Sequence, residues 1–177
     1  MTASTWNFDT THSTVNFTVR HLMVTKVHGT FKTWSGSLSF DDADISQSHF
    51  SAEIDAASVD TKEAKRDEHL RAPDFFDAAN FPKLTFKSTK VAKKGDEEAV
   101  VTGDLTIHGV TKPVEITVEI NGEVKDPWGG TRRGFTGKTS ISRKDFGMTF
   151  NAALDAGGVM VGDKIDITLE IQAVKAS

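Results

Sequence analysis

Apolar and polar residues alternate with period two along most of this chain, the pattern of strands with one face buried and the other in water. Val15, Phe17, Val19 and His21 share one face against Asn16, Thr18 and Arg20. The same alternation returns at Phe50, Ala52 and Ile54, at Leu84, Phe86 and Ser88, and at Val101, Gly103, Leu105 and Ile107. It continues at Val114 to Ile120, at Phe135, Gly137, Thr139 and Ile141, and at Ile165 to Ala173. From Val27 to Phe40 the parity changes, because Phe31 is odd while Trp34, Leu38 and Phe40 are even. A bulge near Gly36 would restore the inward face. Counting that segment gives about eight strands, enough to close a barrel around one small ligand.

Turn residues separate the runs at Asp41–Asp44, Lys94–Asp96, His108–Gly109 and Asp126–Gly130. Connections this short favour neighbouring antiparallel strands in up-and-down order. With no linker, repeat or low-complexity segment, residues 1–177 read as a single all-β domain.

One segment breaks the pattern. Ala64 to Pro82 carries a charged helical turn, Arg66-Asp67-Glu68-His69-Leu70-Arg71, then Phe75, Phe76 and Phe81. A plain turn needs only a few residues, so this stretch reads as a short helical lid with something beneath it.

Several inward positions are small or polar: Ala52, Ser88, Gly103, Gly137 and Thr139. One reading is that the glycines let strands coil or let a ring pack on bare backbone. The other is that they leave room for an apolar guest.

Composition narrows the function classes. The chain has 177 residues and a net charge of -4, with cations scattered among the acids, which argues against a nucleic-acid partner. Cysteine is absent, so thiolate metal sites and disulfides are excluded. Twelve phenylalanines and no tyrosine suit a dry surface. No stretch approaches the roughly 20 apolar residues of a membrane-spanning helix. The first residues have neither a basic start nor an apolar run, so the cytoplasm is the expected compartment, or the periplasm if a leader has been removed.

The candidate motifs of catalysis are weak. Asp145-Phe146-Gly147 lacks every other kinase element, and Gly157–Lys164 lacks the ending of a phosphate loop and reads as a connection into the last strand. The six histidines show no metal-ligand spacing, so no metal or other cofactor is expected. Asp9, His12 and Ser13 have no nucleophile elbow and are expected to tie down the N-terminal strand. His21 and His69 either bond the helix to a strand end or form the polar end of a ligand pocket.

Taken in order, these residues resemble a known family. The marks are Asp9-x-x-His12-Ser13, Phe17-Thr18-Val19-Arg20-His21-Leu22, Gly29-Thr30-Phe31, Arg66-Asp67-x-His69-Leu70, Asp74-Phe75-Phe76 and Phe81-Pro82. They go on through Gly103-Asp104-Leu105-Thr106-Ile107-His108-Gly109, Arg143-x-Asp145-Phe146-Gly147 and Val161-Gly162-Asp163. From Trp6 to Val174 the chain is similar to the YceI-like family of lipocalin-like polyisoprenoid-binding proteins. The resemblance implies an antiparallel barrel with a helical cover and a long lumen for an amphiphile with an isoprenoid or similar tail, such as a quinone or a polyprenyl phosphate. It implies no catalytic residues.

On that resemblance, the expected lumen takes Phe17 and Val19, then Phe31, Trp34, Leu38 and Phe40, then Ile54, Phe86, Leu105 and Ile116. Phe135, Gly137, Ile141 and Ile167 continue it, with Leu70, Phe75 and Phe76 from the lid and Phe146 and Met148 after Arg143. Arg20, His21, Arg66, His69 and Arg71 are expected to face the head group. The rival readings are a lipid-modifying barrel enzyme with His21 or His69 as general base, and a lipocalin that sequesters unrelated apolar compounds. A homodimer stays open.

Overall fold

The computed structural model describes residues 3–22, 24–151 and 160–176. Among them, eleven strands form one antiparallel sheet: β1 (Ser4–Phe8), β2 (Thr14–His21), β3 (Thr25–Phe31), β4 (Trp34–Phe40), β5 (His49–Asp55), β6 (Val59–Asp60), β7 (Lys83–Lys93), β8 (Glu98–Ile107), β9 (Val110–Lys125), β10 (Thr131–Ser142) and β11 (Val161–Lys175). The helix α1 (Ala64–Arg71) lies between β6 and β7.

The sheet closes, because β11 pairs with β1 at Trp6↔Lys175 and Phe8↔Ala173 as well as with β10. Register shows that six of the strands are three broken staves. β1 pairs with β4 while β2 pairs with β3, and both β1 and β2 run along β11. In turn β4 pairs with β5 and β3 with β6. The barrel therefore has eight antiparallel staves in up-and-down order, as the alternation predicts. Closure pairs the long strands on both sides, and Thr25 to Gly29 of β3 keep a ladder with β2 alone, since β6 reaches only Thr30 and Phe31.

The parity change falls elsewhere than expected. The β4–β5 ladder runs without a bulge through Gly36↔Ala52, and the break is at Lys32 and Thr33, between buried Phe31 and buried Trp34. Two polar residues at that corner move the inward face from odd to even positions. Gly36 has a different job: a Cβ there would overlap the Phe8 ring and stand 2.8 Å from the Ser51 carbonyl oxygen. Gly103 likewise lies under the Phe86 ring, so at this position the packing reading holds. Of the expected connection Gly157–Lys164, residues 157–159 lie outside the described residues, and Val161 to Lys164 already belong to β11.

Side chains stitch the break between β1 and β2. The Asp9 carboxylate takes the His12 ring nitrogen Nδ1 at 2.8 Å and Arg132 Nη1 at 2.7 Å, and Arg132 also donates to Asp126 at 2.8 Å. Ser13 Oγ accepts from the Gln172 backbone N–H at 2.8 Å. These residues do tie down the N-terminal strand, and Ser13 is committed to backbone. The bonds from His12 and Arg132 hold the Asp9 carboxyl at about 2, down from 3.8.

A carboxyl depressed on folding adds stability that is complete above its unfolded value and is lost as pH falls toward its folded one. Wild type is therefore expected to lose stability between about pH 4 and pH 2 more steeply than Asp9→Asn. Denaturant melts across that window read the difference, and parallel curves would show that Asp9 contributes nothing.

Candidate ligand-binding site

The lid is anchored at its first turn. Glu63 accepts from the Arg66 N–H at 2.6 Å as the N-cap, and buried Asp67 accepts from the Thr61 N–H at 2.8 Å. Arg66 donates from Nε to Thr61 Oγ1 and from Nη2 to the Thr61 carbonyl, both at 2.8 Å. After the helix the chain folds back on itself, with Phe76 N–H donating to the Leu70 carbonyl at 2.9 Å. This places Phe75 and Phe76 over the barrel mouth. The Phe76 ring meets Phe31 edge-on at 5.6 Å, and Phe75 packs between His69 at 5.0 Å and Phe150 at 5.4 Å.

Beneath the lid is a cavity of about 450 Å³, inside the size range of small-molecule sites. Its deeper wall is apolar: Phe17, Val19, Phe31, Trp34, Ile54, Phe86, Leu105, Ile116, Ile141 and Ile167 all line it. From the lid side come Leu70, Phe75 and Phe76, with Met148 beside them. The small inward residues Ala52 and Thr139 leave part of this space open.

The cationic lining gathers at the mouth. Arg20 and Lys65 are exposed there, with His21, Arg66 and His69 beside them. Among the described residues, none of the cavity-lining side chains is a carboxylate. Lys65, Arg66, His69 and Leu70 follow helical spacing and form one face of α1. Arg71, turned about 100° beyond Leu70, does not line the cavity, which corrects its expected head-group role. His69 Nε2 lies 2.9 Å from Asp74 Oδ2, a bond within the lid segment rather than to a strand end.

Five further expectations need correction. Leu38, Phe40, Phe135 and Gly137 do face inward, but they line a separate cavity of about 70 Å³ deeper in the barrel. Gly137 opens no room for a guest in the main cavity, since a Cβ there would stand 3.2 Å from Ile116 Cγ2 and 3.3 Å from Leu169 Cδ1. Phe146 is 1% exposed and lines neither cavity. It is packed in the core from the 3-10 turn at Arg143–Phe146.

Sequence reasoning missed two charged residues of the site, exposed Lys65 and buried Arg143. Arg143 lines the cavity and is only 2% exposed. Its guanidinium donates from Nε to the Gly162 carbonyl at 2.8 Å, from Nη1 to Met148 at 2.7 Å and from Nη2 to Val161 at 3.2 Å. Burial pushes its pKa down, opposed by the charge of Asp163. Arg143 belongs to the Arg143-x-Asp145-Phe146-Gly147 mark, but nothing in that pattern places it in the cavity wall, because an Arg-Lys pair after a strand ordinarily faces water. Phe50, Ile165, Leu169 and Ile171 also line the cavity, and these could have been taken from the alternation of their own strands.

The geometry has parallels among known proteins. The chain is 47% identical over 137 residues to the UPF0312 protein of Pseudomonas savastanoi pv. phaseolicola, covering 77% of this chain and 71% of that one. Its fold superposes on the crystal structure of Burkholderia cenocepacia BcnA with a TM-score of 0.83 at 27% identity, covering 93% and 98% of the two chains. A polyisoprenoid binding domain from Saccharophagus degradans shares the fold with a TM-score of 0.73 at 16% identity, covering 97% and 98%. The model of the YceI-like domain matches residues 6–173, nearly the whole barrel and its lid, and the chain belongs to that family.

Proposed function

We propose that this protein binds an amphiphile with an isoprenoid or similar hydrocarbon tail and carries or sequesters it without chemical change. The observation that supports this reading best is the cavity itself, about 450 Å³ with an apolar interior and its cationic groups at the mouth. The polyisoprenoid-binding relative of the same fold agrees with it. Each buried CH₂ contributes about 0.8 kcal/mol, so a few isoprene units offset the cost of association and still leave micromolar binding. The head group lies toward Arg20, Lys65 and Arg143, where the oxygens of a quinone or a polyprenyl phosphate would accept hydrogen bonds from these donors.

Trp34 supplies a direct probe, since it lines the cavity while Trp128 is 82% exposed and Trp6 lies outside the cavity lining. Titration with an isoprenoid quinone is expected to quench fluorescence saturably in the micromolar range, and most of that signal is expected to vanish in Trp34→Phe. Quenching that never saturates, equal in both proteins, would overturn the reading.

A further inference from the structure

The two cavities share a partition. Phe50, Ile116, Leu169 and Ile171 line both the larger and the smaller one, so four side chains from three strands form the floor of one and the roof of the other. Ile116 and Ile171 are buried at 6% and 9% exposure, whereas Phe50 is only half-buried. The Phe50 ring packs at 5.5 Å against Phe86, which lines the larger cavity, and at 5.7 Å against Phe8, which lines the smaller.

At this point β5 keeps its ladder with β4, at Leu38↔Phe50, but leaves the ladder with β7. The β5–β7 ladder ends at Ser51↔Lys87, and the Phe50 N–H donates to Ser88 Oγ at 2.9 Å beside the β7 irregularity at Ser88–Lys90. Behind the partition, the bare backbone of Gly137 borders Ile116 and Leu169. The chamber beyond contains Phe8, Leu38, Phe40 and Phe135. A void with that lining takes hydrocarbon and rejects a polar group.

We propose that the smaller cavity is a subsite for the far end of a hydrocarbon tail, entered when the Phe50 ring turns aside, so that the partition selects ligands by tail length. This rests on the tail-binding reading above and adds to it the residues that measure the tail. Short tails end above the partition. Longer ones gain the second chamber.

The test is a ladder of prenols, from geraniol upward one isoprene unit at a time, titrated against wild type, Phe50→Ala and Gly137→Ala, with Phe50→Leu as the milder variant should alanine unfold the protein. Removing the ring is expected to raise the preference for long over short prenols by about tenfold, the effect of burying one or two more CH₂ groups. The methyl of Gly137→Ala narrows the chamber and is expected to lower that preference while sparing geraniol. Unchanged preferences in the variants, with wild type binding prenols, overturn the subsite alone. A wild type that binds no prenol overturns the function reading and the subsite with it.

Discussion

Replacing Arg143 with methionine is expected to destabilise the fold by on the order of 3 kcal/mol, because buried carbonyls lose a charged donor. Met148 and Gly162 lose their guanidinium bonds outright, while the Val161 carbonyl keeps the Asn151 side-chain amide at 2.8 Å. Those bonds join the turn after β10 to the first residues of β11, so the loss falls where the barrel mouth is closed. Arg143→Lys keeps a charge but not the fork of donors, and is expected to recover only part of the loss. Denaturant midpoints read both variants. An unchanged midpoint in Arg143→Met would mean that water replaces the guanidinium at no cost.

Ala52→Phe is expected to remove at least about 100-fold of tail affinity, equal to three or four buried CH₂ groups, and to leave the melting temperature unchanged or raised. Ala52 lines the cavity, paired across the sheet with Gly36 on one side and Phe86 on the other. A phenyl ring there points into empty space, where filling commonly stabilises. Thermal melts beside quinone titrations separate the two effects. A variant that keeps full affinity would show that the tail does not pass Ala52. One that unfolds would show that the wall around Ala52 is already filled.

The alternation of side chains made the barrel legible, but it carries one coordinate only. Period two says whether a residue points inward; it does not say how far along the barrel axis it sits. Phe31 and Phe40 are both inward, yet Phe31 lines the larger cavity and Phe40 the smaller one. Phe135 and Gly137 share the inward face of β10 with Ile141, and only Ile141 reaches the larger cavity. Height depends on strand tilt and register across the closed sheet, which no single strand encodes.

Short strands escape the pattern for a related reason. β1 offers only Trp6 and Phe8 as its inward pair, and β6 is the two residues Val59–Asp60. Pairing with long neighbours defines them, rather than any periodicity of their own. The lid is different, because capping by Glu63 and the lone helical stretch are local features. Arg143 is the reverse case, a buried cation whose role rests on the Gly162 and Met148 carbonyls, brought to it by tertiary closure.

If the lidded cavity holds a hydrocarbon tail, the mass of the bound molecule reveals it. Native mass spectrometry of the protein purified from its own host, followed by organic extraction, is expected to show a bound species at substantial occupancy whose extract contains an isoprenoid or comparable long-chain amphiphile. Empty protein that also takes up neither quinones nor polyprenols added in excess would contradict the account.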